Sequence, residues 1–340
     1  MSRARLLLLI SLVVFFFGSV FCDQYKSSVF AYDYDILMAI GVNIILAVSL
    51  NLVTGYTGQF SLGHAGFMAV GAYASGSWSN HLDVGLIAAM GGPTNPVAFN
   101  LAFLISMLFG GGLAAAAGLL VGIPSLRLKG DYLAIVTLGF GEIIRTAILN
   151  TDYLGASRGL SIPSGYTNIF WTFGLSAICI YVVLCLVNST YGRGFLTVRD
   201  DEIAAEAMGI NTTKYKVIAF VVASFFAGIA GALYAHFKLF VTPEGFNYFR
   251  SVDVVVMVIL GGMGSTLGVV LAAILLTLLP EFLRNLAHAG LLPPAYNGLL
   301  ENRLILYALL LIVLMLTRPQ GLLGDMSKGR RRLPRESKGL

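Results

Sequence analysis

The sequence predicts an all-α polytopic membrane protein, and three observations carry that prediction. Hydrophobic residues make up 57% of the 340 and charged residues only 11%, with a mean hydropathy of +0.83; a soluble domain carries roughly 25% charged residues. The apolar residues gather into runs of helical span length, separated by short polar stretches. Two runs are interrupted by glycine clusters instead of charge, at 55–66 and 261–268. The expected architecture is about eight to ten transmembrane helices, some of them re-entrant or broken. Lipid offers open backbone no partner, so every span is expected to be helical.

The first run, 6–22, follows Arg3 and Arg5. No small-x-small site closes it and Val20-Phe21-Cys22 is a poor lipoprotein box, so residues 1–30 read as a retained span more readily than as a cleaved leader. The second run, 36–53, carries Asn43, Ser49 and Asn51, expected to hydrogen-bond between helices. After it, 55–66 holds Gly55, Gly58, Ser61, Gly63, His64 and Gly66, and the chain stays apolar to Trp78. The runs 98–122, 132–149, 169–187 and 217–237 follow. At 252–260 the run is too short to cross at about 1.5 Å per residue. It meets Gly261, Gly262 and Gly264, and 267–283 continues as a paired crossing or re-entrant hairpin. Asp253 opens that short run and reads as a helix cap. The last run is 304–316, and 321–340 is a basic tail.

Lysine and arginine set the orientation. With the amino terminus inside, Arg3, Arg5, Arg127, Lys129, Arg193, Arg199, Lys214, Lys216 and the seven basic residues from Arg318 onward fall inside. Lys26, Arg158, Lys238, Arg250, Arg284 and Arg303 fall outside, and Arg145 lies within a span. This bias places both termini and the loop 191–216 in the cytoplasm. The net charge of +5 is no sign of nucleic acid; the basic tail fits the anionic surface of the lipid bilayer. Cys22, Cys179 and Cys185 lack metal-type spacing, so neither a metal site nor a disulfide framework is expected.

Between two apolar runs, 191–211 is the chain's most polar internal stretch, with Arg193, Arg199, Asp200, Asp201, Glu202 and Glu206. Ala204, Ala207 and Met208 share one helical face with Ile203 beside them, while the charges cover much of the rest. Such a helix suits docking to a partner that approaches closely; the plainer reading is a solvated loop. The two glycine breaks share the order Gly, Ser, Leu-Gly. They read either as broken helices at corresponding places of an inverted repeat, lining a translocation path, or as glycine used for close packing. Glu142 and Arg145, at i and i+3, can neutralise each other within a span or line the path. His64 has no cysteine or carboxylate at ligand spacing, so it reads as a hydrogen-bonded structural group.

The chain holds no GxxxxGK[ST], GxSxG or HExxH, so no catalytic residue is expected and any ATP chemistry belongs to another chain. An intramembrane enzyme using His64 or His236 with Glu142 would need a nucleophile beside a base, and the sequence displays none. A channel is the remaining class.

The stretch Ile203-Ala204-Ala205-Glu206-Ala207-Met208-Gly209 resembles the cytoplasmic EAA coupling loop of bacterial ABC importer permeases, with Ile in place of the leading Glu and Glu202 one residue earlier. The segment from Asn51 to Gly58, Ser61-Leu62-Gly63-His64-Ala65-Gly66-Phe67 and Gly71-Ala72-Tyr73 are similar to the LivM/LivH signature of branched-chain amino-acid permeases. Arg127-Leu128-Lys129-Gly130-Asp131-Tyr132, Phe140-Gly141-Glu142-Ile143-Ile144-Arg145, Gly261-Gly262-Met263-Gly264 and Arg318-Pro319-Gln320-Gly321 resemble the LivM member in particular. The resemblance implies a permease domain over 31–320. It implies a second LivH-type permease, two cytoplasmic ABC ATPases that bind ATP and Mg, and an extracytoplasmic substrate-binding protein. This chain itself would carry no cofactor. Arg199, Asp201, Glu202, Ala204, Ala205, Glu206, Ala207, Met208 and Gly209 would couple to an ATPase. Asn51, Gly55, Ser61, Gly63, His64, Glu142, Gly261, Gly262 and Gly264 would line the path. Branched-chain amino acids are the implied cargo. Urea permeases share much of the signature, so urea, short amides or another amino acid is the alternative.

Overall fold

The computed structural model describes residues 31–83, 96–125, 130–163 and 165–288, with isolated positions at 309, 312, 313, 316 and 321. The expected first span, most of the last run, residues 126–129 and the basic tail lie outside the described residues. Within them, five helices are long and apolar enough to cross a membrane, and the only strands among the described residues are a pair of two residues each. The architecture is that of an all-α, multi-pass membrane protein.

Helix α1 (Ala31–Asn51) continues into a π-helical turn, Leu52–Tyr56. It is the most buried of the five spans, as its nearly unbroken apolar sequence requires. The chain then turns back beside α1: the Gln59 N–H donates to Val53 O at 3.1 Å, and His64 lies level with Ser49. Helix α2 (His64–Trp78) therefore starts in the middle of the bundle. Helix α3 (Pro96–Ser125) starts on a proline, whose missing N–H costs nothing at a first turn. Helix α4 (Asp131–Leu149) is the least buried span and crosses the start of α2. A Cβ on Gly66 would lie 2.8 Å from Gly141 Cα.

Two 3₁₀ turns lead to β1 (Leu160–Ser161). Helix α5 (Ile169–Val187) is capped by Asn168, whose side chain accepts from the Trp171 N–H. The polar stretch forms α6 (Thr190–Asp200) and α7 (Glu202–Ala207). Helix α8 (Thr212–Lys238) returns through the bundle to β2 (Phe240–Val241), antiparallel to β1. After a 3₁₀ turn come α9 (Tyr248–Gly261) and α10 (Thr266–His288), packed together as a hairpin.

Helices α2, α3 and α8 are knit by glycine. A Cβ on Gly71 would fall on the Gly228 backbone, one on Gly110 would lie 2.7 Å from Gly71 O, and one on Gly231 would fall on Met68 O. These glycines serve close packing. At the end of the bundle bearing the strands, Lys238 pairs with Asp35 at 2.9 Å and Tyr32 hydrogen-bonds Glu281. At the other end α6 lies against the end of α1, and α7 packs on α6 and α8.

Two expectations need correction. Asp253 does not cap the short run, because the helix begins five residues earlier. Asn247 is the cap, its side chain accepting from the Arg250 N–H at 3.3 Å. Arg250 is not an outside loop residue. It lies in the first turn of α9, and its Nη2 donates to Asn43 Oδ1 at 2.8 Å, in the middle of α1. Tertiary partners for Arg250 and Ser251 let the helix extend over residues that look like loop in the sequence. Even so, α9 is about 21 Å long, short of a hydrocarbon core of about 30 Å.

Candidate functional site: two glycine breaks and a polar loop

The two glycine breaks, separated by two hundred positions, meet at the end of α1. Asn51 Oδ1 accepts from the Gly264 N–H at 2.9 Å. A Cβ on Gly55 would fall on both of those atoms. The Tyr56 hydroxyl and Thr266 Oγ1 lie 2.8 Å apart. Gly262 ends α9 at φ +97 and Gly264 follows at φ +83, a backbone region that glycine enters without steric cost. Gly261 packs against Val269, and a Cβ on Gly321 would fall on Gly262.

The polar loop reaches the same point. Arg199, the last-turn arginine of α6, donates from Nη1 to Gly55 O at 3.2 Å. Its Nε and Nη2 bind Asp200 at 3.1 and 2.9 Å, which fixes the guanidinium plane. Arg199 also packs over Gly58, where a Cβ would lie 2.9 Å from Arg199 Cγ.

The stretch 191–211 is not one helix. It breaks at Asp201, whose backbone is extended and whose carboxylate accepts from the Ile203 and Ala204 N–H groups at 2.9 and 3.0 Å. An N-cap of this kind starts a new helix. Gly209 closes it at φ +80, with the Ile210 N–H donating to Ala205 O at 3.0 Å and the Gly209 N–H to Glu206 O at 2.9 Å. This is the glycine C-terminal motif. The acids turn back to α8: Glu202 pairs with Lys216 at 2.7 Å, and Glu206 accepts from Thr212 at 2.8 Å. Ala205 is fully buried, while Ile203 is 72% and Met208 81% exposed. Ala204 and Ala207 are exposed beside them. The outcome is a bare, small apolar face whose acidic neighbours Asp201, Glu202 and Glu206 are tied down.

Higher in the bundle, His64 Nε2 lies 2.9 Å from Ser49 Oγ. That is a hydroxyl beside an imidazole, which the sequence did not display. Ser49 Oγ also donates to Leu46 O at 3.0 Å, so His64 supplies the proton of the shared bond and the hydroxyl is not activated. Ser61 Oγ accepts from the Gly63 N–H at 3.5 Å, and Thr137 Oγ1 accepts from the Leu62 N–H at 3.1 Å. Glu142 and Arg145 pair at 2.8 Å on a partly exposed face of α4, the helix that packs on the first break through Thr137 and Gly141.

Around the first break the core is polar. Asn51 Nδ2, Thr54 Oγ1 and both amide atoms of Gln59 are buried without a partner among the described residues. An unsatisfied group of this kind costs about 1–3 kcal/mol, so this is the least settled part of the core. Sequence reasoning missed Arg250, Thr137, Ser251 and Gln59. Only Arg250 carried a signal, as an arginine two residues from an apolar run.

The family model described as "Branched-chain amino acid transport system / permease component" matches residues 34–315. The chain is 35% identical to the high-affinity branched-chain amino acid transport system permease protein LivM of Escherichia coli, over 78% of this chain and 64% of that protein. It is 34% identical to LivM of Salmonella typhimurium over the same shares. With a probable LivM of Methanocaldococcus jannaschii it shares 26% identity, over 68% of this chain and 71% of that one. The chain thus spans 64% of the length of the two enterobacterial relatives. No solved structure matches it significantly.

Proposed function

Because this chain belongs to the branched-chain amino acid transport system permease family, we propose that it is a permease subunit of an ATP-driven importer of branched-chain amino acids. It forms the path together with a second, LivH-type permease in a bacterial inner membrane. Residues 31–320 make up the permease domain, 1–30 a further span and 321–340 a cytoplasmic tail, for eight to ten spans in all. Both termini and the loop 191–216 face the cytoplasm, as the lysine and arginine bias supports. Two ATPases on separate chains bind ATP and Mg, and an extracytoplasmic protein selects the cargo.

The observation that carries this reading is the convergence of Arg199, Gly55 and Gly264. The bare face of Ile203, Ala204, Ala207 and Met208 sits in a groove of an ATPase. Closure of the ATPases displaces α6 and α7 together, because Asp201 joins them, while the Lys216–Glu202 pair ties α7 to α8. Arg199 passes that displacement to the Gly55 carbonyl, at the end of α1, and so to both breaks. Glycine backbone there can change course without side-chain clashes, which is what an alternating gate needs. The half-helices α2 and α9, both starting in mid-bundle, are the two arms of the inverted repeat. Asn51, Ser61, Gly63, His64, Gly261 and Gly262 lie along the path, with Glu142 at its margin.

The test is uptake in a strain lacking its own branched-chain amino acid systems. This chain is expressed with the second permease, ATPases and binding protein encoded beside it. Labelled leucine, isoleucine and valine should enter, and omission of the ATPases should abolish entry. Entry of urea in place of the amino acids would replace the cargo. Entry that continues without the ATPases would sink the importer reading.

A further inference from the structure

Helix α9 places two opposite charges, Arg250 and Asp253, at i and i+3 on one face in the first two turns. Both residues are half-buried. They lie at mid-depth, because Arg250 Nη2 donates to Asn43 Oδ1 at 2.8 Å and Asn43 is central in the 25-residue span Tyr32–Tyr56. The adjacent Ser251 Oγ accepts from the Ala65 N–H at 2.9 Å, at the start of the other half-helix. Asn43 is held in register: its Nδ2 donates to Thr277 Oγ1 at 2.8 Å, and Thr277 donates to Ala273 O at 2.7 Å. The amide oxygen is thereby aimed at the guanidinium.

Other charges within the bundle are neutralised at contact distance. Glu142 and Arg145 pair at 2.8 Å, and Lys216 and Glu202 at 2.7 Å. Arg250 has a neutral amide instead, one acceptor for a group with five N–H donors. Asp253 makes no hydrogen bond and no ion pair within 4.0 Å among the described residues, and its charge and that of Arg250 act on each other only across a longer gap. Around them the surface is apolar, with Phe249 59% exposed and Val252 beside it. Hydrocarbon is a costly place for two charges that meet only at a distance, which favours a face turned to the path over one turned to lipid.

We propose that Arg250 and Asp253 form a relay site for the charged head of a zwitterionic amino acid. Arg250 takes the α-carboxylate through its free N–H groups, Asp253 takes the α-ammonium, and the side chain lies on Val252 and Phe249. The proposal rests on the reading that amino acids pass through this chain. A neutral cargo such as urea has no use for a full positive and a full negative charge one turn apart. Bidentate recognition of a carboxylate is what a guanidinium does best. Partial exposure keeps the hold weak enough for release, as any site along a path requires.

The test uses the assembled importer in proteoliposomes, with Cys22, Cys179 and Cys185 replaced. Arg250→Cys and Asp253→Cys should each lower leucine uptake roughly ten- to a hundredfold, the loss expected for one charged hydrogen-bonding group. Aminoethyl methanethiosulfonate returns a cation to position 250 and should restore uptake there, while the sulfonatoethyl reagent should not. At position 253 the two reagents should exchange roles. A merely structural role responds to bulk instead of sign, so equal restoration by a neutral methylating reagent overturns the proposal, as does uptake unchanged in either variant. If Arg250→Cys fails to assemble, Asp253→Asn decides, because that side chain bonds nothing among the described residues: normal leucine uptake overturns the site, and a tenfold loss upholds it. Wild-type complex that moves leucine while the variants also move it sinks this site alone. Wild-type complex that moves only urea sinks the site and the cargo together.

Discussion

Gly55→Ala adds a single carbon at the point where the two breaks and the polar loop converge. The added carbon falls on Asn51 Oδ1 and on Gly264 N, wedging apart the 2.9 Å hydrogen bond between them. Carbon against nitrogen needs about 3.5 Å, so the two backbones must separate by on the order of 1 Å. Neither side can yield alone. Asn51 is fully buried in the most buried span, and Gly264 lies in a turn closed by the Ser265 N–H on Gly262 O at 3.0 Å. The lost hydrogen bond costs about 1 kcal/mol and the overpacking about 1–3 kcal/mol, together about 2–4 kcal/mol. The purified chain in detergent should melt on the order of 5 °C lower, and the importer carrying it should lose uptake. Gly112→Ala is the control, since a Cβ there meets nothing within 4 Å. If Gly55→Ala melts with the control and transports normally, the contact between the breaks bears neither on stability nor on gating, and the mechanism drawn from it is wrong.

Gly209→Val forces a β-branched residue into φ +80, at a cost of about 1–2 kcal/mol, and should release the ATPases in a co-purification assay while the chain remains inserted; Ala204→Glu should do the same by charging the bare face, and intact complexes with normal uptake would show that this face docks nothing. Lys216→Met leaves Glu202 without its partner at 2.7 Å; removing one member of a largely buried pair costs about 3–5 kcal/mol, a figure to be reduced here because Glu202 is partly exposed, and proteolytic nicking between α7 and α8 should rise, with an unchanged cleavage pattern counting against that strut. In a background without native cysteines, Tyr153→Cys should react with an impermeant thiol reagent on intact cells and Asn188→Cys should not; the opposite pattern inverts the orientation.

The five long spans among the described residues were legible because lipid permits one solution for long apolar runs, and the breaks were legible because clustered glycine is costly without a use. Gly209 was legible for the same local reason: a helix that must stop needs a residue that accepts positive φ. What the sequence hid is tertiary. Nothing near Arg199 points to Gly55, 144 positions away. Arg250 looked like a loop charge because its partner, Asn43, lies 207 positions earlier. Asp253 looked like a cap because the apolar run starts at Val252, whereas Asn247, further upstream, supplies the capping oxygen. The break at Asp201 was foreseeable from its type, since aspartate favours N-caps, but the continuous polarity of 191–211 concealed it.

The contact of Gly71 with Gly228 and of Gly110 with Gly71 brings α2, α3 and α8 main chain to main chain along one line, with Phe67 against Phe220 and Trp78 against Phe109 filling the flanks. Side chains act as bearings: they can change rotamer and let one helix glide over another. Main chain pressed on main chain has no such tolerance, so these three helices can only swing as one keel. A keel of that kind would leave the play to the seams around it, where α1 ends, where the α9–α10 hairpin turns, and along the thinly covered α4. A drug or a mutation that stiffened a seam would halt the cycle without touching the keel, whereas one that loosened the keel would waste the stroke inside the protein before it reached the cargo.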